Sequence, residues 1–230
     1  MDAGHALSDL TAHQLPGHLR PTRRERRRAE TRQRLLMAAL RLFRQRGFAA
    51  TTVEQITEAA DLGKGTFFNY FPSKEHILGA LAEVQRGKIM AALEAVNRGR
   101  DVSGVLYRLY HELRQRPAQS QRLARSLLLA ILSNHQVRRL VAHNLEQGRA
   151  LLRQIFELGQ QRNQVRRDCD AVELARLFQQ SFLGTVLVWT LGPATPLRQS
   201  LDASFRVFWA GIAADALPSN GEKGAAGRKP

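Results

Sequence analysis

The chain has 230 residues, 43% of them hydrophobic, enough to bury a sizeable core in one large domain or two modest ones. Thirty-five basic residues against twenty acidic ones give a formal charge of +15, which favours a polyanionic partner such as nucleic acid or an anionic surface. A single cysteine, Cys169, excludes an internal disulfide and any multi-cysteine metal site, in keeping with a reducing cytosol.

Residues 1–20 mix Gly, His, Pro and small polar residues without a period, and 217–230 are rich in Gly, Pro and Lys, so both ends are expected to be disordered. The N-terminal stretch lacks the layout of a signal peptide. The longest apolar run, Phe182 to Leu191, is far shorter than the about 20 residues that a membrane-spanning helix needs. A cytoplasmic protein with no membrane partner is expected.

Between the ends no stretch shows sustained period-2 alternation, and the predicted fold class is all-α, with about nine helices. The first helix is predicted from Thr22 to Arg46, with Leu35, Ala39, Leu42 and Phe43 as its apolar stripe and Gly47 as its stop. The charge concentrates here: Arg20 to Arg46 holds eleven arginines and two glutamates. Thr51-Thr52 opens a short helix to Ala60, because Thr52 with Gln55 (or Thr51 with Glu54) makes a capping box. Asp61-Leu62-Gly63 leaves room only for a tight turn before a second short helix, Lys64 to Tyr70, which Pro72 ends. Ser73 is expected to cap the next helix, Lys74 to about Val96, and long helices follow over roughly 101–115, 118–132, 135–163, 170–191 and 197–216.

Four aromatic side chains crowd into five residues: Phe67, Phe68, Tyr70 and Phe71. Spacing of four puts Phe67 and Phe71 on one helix face, a core pair expected to pack with Phe43 and Ile56. Phe68, Asn69 and Tyr70 are left facing a partner. A basic helix followed by two short helices across a tight turn is the layout of a helix-turn-helix DNA reader.

The stretch GFAATTVEQITEAADLGKGTFFNYFPSKEHIL, Gly47 to Leu78, preceded by ETRQRLLMAALRLFRQR, resembles the DNA-binding domain of the TetR family of bacterial transcriptional regulators. The likeness lies in the order of the arginine-rich helix, G-F-x-x-T-T, the Lys-Gly-Thr-aromatic-aromatic helix and aromatic-Phe-x-Ser-Lys-Glu. It departs from the usual pattern at four positions. Asp61 stands for the turn glycine, although Asp tolerates the left-handed conformation. Gly63 stands for a Ser cap, Phe68 for a Tyr and Pro72 for a Lys.

The resemblance implies an N-terminal helix-turn-helix domain at 21–72, a connecting helix at 73–96, and a ligand-binding and dimerisation domain at 97–216. It implies DNA contacts from Thr51 and Thr52, Lys64, Gly65 and Thr66, Phe68, Asn69 and Tyr70, and a phosphate contact from Lys74. Asn69 suits an adenine edge, and Arg23 and Arg24 suit phosphate or the minor groove. A homodimer on an inverted-repeat operator follows, with Phe178, Phe182, Val186, Leu201, Phe205, Phe208, Trp209 and Ile212 as its interface. An effector of unknown identity, a small hydrophobic ligand, would meet Tyr107, Tyr110, His111, His135, Phe178, Phe182 and Trp189.

No metal or cofactor is expected, since His135 and His143 have no third ligand type in register. Nor is an enzyme. No G-x-S-x-G or H-E-x-x-H occurs, and GKGT has Glu58 and Gly65 where a phosphate loop needs Gly and Ser or Thr. The remaining alternative is a sequence-neutral, nucleoid-type DNA binder attracted by charge alone.

Overall fold

The computed structural model of the protein describes residues 22–115, 120–192 and 195–214, and the predicted arm 1–20 and tail 217–230 lie outside the described residues. Among these, nine helices run in the order α1 (Arg23–Arg46), α2 (Val53–Ala59), α3 (Lys64–Phe68), α4 (Glu75–Asn97), α5 (Val102–Arg114), α6 (Gln121–Ser133), α7 (His135–Gln161), α8 (Ala171–Leu191) and α9 (Leu197–Ile212). The all-α class and the order of elements agree with the sequence reading. An isolated antiparallel bridge joins Val165 to Ala213.

Local chemistry explains most boundaries. Thr22 caps α1 in a capping box with Glu25, and Thr52 caps α2 in the expected box with Gln55. Gly47 stops α1 at a φ of 87°, its N–H returning to the Phe43 carbonyl. The α2–α3 turn is a Schellman closure: the Leu62 N–H donates to Thr57 O (2.9 Å) and the Asp61 N–H to Glu58 O (3.0 Å), with Asp61 left-handed at φ 51°. Asp thus does the work of the glycine it replaces. Two details differ from expectation. The second short helix ends at Phe68, and Ser73 does not cap α4; its hydroxyl bonds the Glu75 carboxylate (2.6 Å) and His76 Nδ1 (3.0 Å), leaving Lys74 at the cap position with no side-chain bond to the first turn of α4.

The apolar residues separate into two clusters. One holds Leu35 and Phe43 of α1, Ile56 of α2, Phe67 of α3, Phe71 and Ile77, all at most 1% exposed, confirming the pins proposed for the short helices. It also takes Leu123, Leu127 and Ala130 of α6 and Val137 of α7, so packing runs across the connecting helix: the N-terminal head is closed by the body's own helices. The second cluster joins α4, α5, α7, α8 and α9 around Tyr110, Phe156 and Phe178. Helix α6 ties the two regions together. Its Ser126 hydroxyl accepts the Phe48 N–H (2.9 Å), while the adjacent Arg125 donates to Thr190 O at the end of α8 (2.5 Å).

Close approach is needed where α7 ends. A Cβ on Gly159 would sit 2.7 Å from Val165 Cγ2, a side chain only 1% exposed. Gly159→Ala is therefore expected to destabilise the body by about 1 to 3 kcal/mol through overpacking, read as a lowered midpoint in chemical denaturation. An unchanged midpoint would mean that the Val165 loop yields freely.

Candidate nucleic-acid interface

The surface begins with α3, whose five residues have one buried member, Phe67. Phe67 packs against Phe71 (ring centroids 5.7 Å) and edge-on against Phe68 (5.4 Å). Anchoring one side pushes the others outward. Lys64, Gly65 and Asn69 are exposed, Phe68 is 48% exposed, and Thr66 and Tyr70 are half-buried. Beyond its chain neighbours and its own helix backbone, nothing lies within 4 Å of where a Gly65 Cβ would be, so its backbone faces outward unobstructed.

Basic groups frame this surface. Arg28 of α1 lies over the Tyr70 ring (6.0 Å) and Arg32 over Phe71 (5.4 Å) while pairing with Glu83 (2.7 Å). Arg34 and Arg41 serve structure instead, donating to the Ala60 and Ala59 carbonyls (2.7 and 3.0 Å) and so holding the end of α2 to α1. Arg23 and Arg24 are exposed in the first turn of α1. Lys64 is paired with Glu54, and its hydrogen bond lowers that carboxyl to about 2. The salt link is exposed at both ends and open to exchange for a phosphate.

Two expected contacts are corrected. Thr51 is 1% exposed and its hydroxyl donates inward to Gly47 O (2.7 Å), so it fastens the α1–α2 loop, whereas Thr52 is exposed at the cap. Lys74 likewise turns inward. Its ammonium donates to the carbonyls of Phe48 (2.8 Å), Thr51 (2.8 Å) and Ala49 (3.4 Å) and lies 4.5 Å from the Phe48 ring centre. Two short bonds and one long one turn the ammonium toward this loop. Burial lowers the Lys74 pKa, with Glu75 acting in the opposite sense.

The body shows a different division from the expected one. Tyr110 and Phe178, expected in a ligand pocket, are 0% and 1% exposed and pack ring to ring at 4.8 Å, with Phe182 5.3 Å from Tyr110. They form core. His135 is exposed at the start of α7, away from them, and Trp189 is half-buried against the core. Only Tyr107 and His111 line an open cleft, of about 330 Å³. Of the expected interface, Phe178, Leu201, Phe205 and Ile212 are at most 6% exposed, and Phe182, Val186, Phe208 and Trp209 are half-buried against the same core. The apolar faces of α8 and α9 are wide enough that one side fills the protomer. The other side carries the exposed Leu177, Val188 and Leu191, with Val207 of α9.

A small helix pair pinned by aromatic residues, set on a basic helix and closed by an all-helical body, defines a helix-turn-helix protein. Residues 35–81 match the sequence model for bacterial regulatory proteins of the tetR family. It is 40% identical over 74 residues to the HTH-type transcriptional regulator TcmR of Streptomyces glaucescens, covering 32% of this chain and 33% of that protein. The chain spans about a third or less of the length of the curated relatives that it matches above 30% identity. A longer match, 22% identical over 185 residues, is to the HTH-type transcriptional repressor KstR of Mycobacterium tuberculosis and covers 77% of this chain and 80% of that one. In structure the chain is similar to the repressor FadR of Thermus thermophilus, solved with lauroyl-CoA, at a TM-score of 0.58, with 26% identity over 85% of this chain and 100% of that one. Among the described residues no helix is long and apolar enough to cross a membrane.

Proposed function

We propose that the protein is a sequence-specific, ligand-responsive transcriptional regulator, acting as a repressor, that binds an inverted-repeat operator in double-stranded DNA as a homodimer in the cytoplasm. The observation that carries this reading is the outward face of α3, where Lys64, Gly65, Phe68 and Asn69 stand exposed while Phe67 holds the helix to its scaffold. Such a face fits a major groove: Asn69 suits a bidentate pair with adenine, and Phe68 suits a thymine methyl or a sugar. Homodimerisation is supported by the exposed stripe Leu177, Val188 and Leu191 on α8 beside Val207 on α9, because apolar side chains at helical spacing on an open face favour a second helix pair. Two-fold pairing would set two α3 helices about 34 to 36 Å apart, one turn of duplex.

The effector reading draws on the relatives. FadR of Thermus thermophilus was solved with lauroyl-CoA, and a ligand with an apolar portion is proposed here. It would act by favouring a spacing of the two heads that cannot span both half-sites.

The test is selection of bound duplexes from a random pool at near-physiological salt. An enriched inverted repeat supports the reading, and tight binding without enrichment refutes it in favour of charge-driven binding. With the enriched site in hand, Asn69→Ala is expected to relax preference at one position of each half-site by about 1 to 3 kcal/mol, with little change elsewhere. Uniform weakening across all sequences would remove Asn69 from base reading.

A further inference from the structure

On α5, Tyr107, Tyr110, His111 and Arg114 follow at helical spacing and share a face; on α9, Arg198, Asp202 and Phe205 do the same. The two faces meet. The Tyr107 hydroxyl donates to Asp202 Oδ1 (2.9 Å), and the Tyr107 ring lies 5.4 Å from Phe205. His111 Nε2 is 2.9 Å from the same carboxylate oxygen, without the geometry of a hydrogen bond, and its ring lies 4.6 Å from Tyr107. The seam therefore grades from an aromatic end at Tyr107 and Phe205 to a cationic end at Arg114 and Arg198.

The open cleft of about 330 Å³ lies over this seam, lined by Tyr107, Arg108, His111, Glu112, Arg114 and Arg198. Its guanidinium groups outnumber its carboxylates. Asp202 is engaged by Tyr107 and stands 4.0 Å from Arg198 Nε, too far for a tight pair. Arg114 Nε is buried with no hydrogen-bond partner. A buried charged donor without an acceptor is costly, and an incoming anion would supply the acceptor. Tyr107, 39% exposed, offers a ring face beside it.

We propose that this α5–α9 cleft is an anion site, taking the carboxylate or phosphate head of an amphipathic ligand between Arg114 and Arg198 while the ligand's apolar part covers Tyr107. This deepens the effector reading and rests on it only for the consequence in regulation. Binding is measured on the full chain without DNA, by calorimetry, using laurate and dodecyl phosphate with 1-dodecanol as the uncharged control. The anions are expected to bind and dodecanol to bind about tenfold more weakly or worse. Arg198→Gln, at a side chain that is 72% exposed, should weaken the anions about tenfold and leave dodecanol unchanged. Arg114→Gln should do the same. The stronger of the two anions identifies the head group. Equal binding of dodecanol, or anion binding unaltered by Arg198→Gln, overturns the site. If the anions bind as expected but do not release the selected operator, the site stands and the effector reading falls. If no anion binds to a chain that still selects an operator, the site falls and the regulator remains.

Discussion

Lys74→Met is expected to destabilise the N-terminal head by about 1.5 to 3 kcal/mol, the usual worth of hydrogen bonds to a charged group, and to weaken every duplex without changing the salt dependence of binding. The reason is geometric. The ammonium bonds the carbonyls of Phe48, Ala49 and Thr51, the loop that carries the Thr52 cap and orients α2 and, through it, α3. Removing it leaves those carbonyls without their cation and frees the loop. A phosphate-binding lysine would behave otherwise. Its loss would flatten the slope of log affinity against log salt by about 0.9 for each contact removed. Titrations at several salt concentrations, paired with chemical denaturation, decide between the two. A flattened slope with unchanged stability would return Lys74 to the phosphate backbone.

Val188→Glu is expected to convert a dimer into monomers in sedimentation and to lower operator affinity by about 10² to 10⁴-fold, because the second head then binds as an independent molecule. Val188 is 68% exposed in the protomer, so the substitution costs the isolated fold little, and only the pairing of two copies should suffer. A dimer that persists would move the interface elsewhere. Phe205, by contrast, is 6% exposed, and a charge there would break the protomer itself.

Much of the head was legible from local chemistry. Thr52 and Gln55 form the predicted capping box, Asp61 takes the left-handed turn, and Phe67 and Phe71 fill the core that their spacing assigned them. Each of these depends on neighbours within a few residues. The inward turn of Lys74 and Thr51 is not legible locally, because an ammonium or a hydroxyl suits a carbonyl as well as a phosphate, and the carbonyls involved lie as many as 26 residues away in sequence. The same limit applies to α8 and α9. Periodicity marked their apolar faces, but which side meets the protomer depends on where Tyr110 and Phe156 lie across the fold. Nothing local told that α6 would close the head, since Ser126 reaches Phe48 across 78 positions. The α5–α9 cleft was half visible, in Tyr107 and His111; Arg198 and Asp202 join it only through long-range packing.

The N-terminal half of α1 has an energetic consequence of its own. No side chain before Leu35 is buried, and Arg23 with Arg27, Arg24 with Arg28, and Arg28 with Arg32 stand one turn apart as like charges. Each such pair costs a few tenths of a kcal/mol, roughly 0.2 to 0.5, set against the cap at Thr22. The stretch is a polyelectrolyte wound into a helix against its own repulsion. Counterions relieve that repulsion in solution, and a row of phosphates would relieve it more fully. Part of the free energy gained on a duplex would therefore reappear as helical order rather than as grip, and the firmness of this segment would track the ionic strength around it.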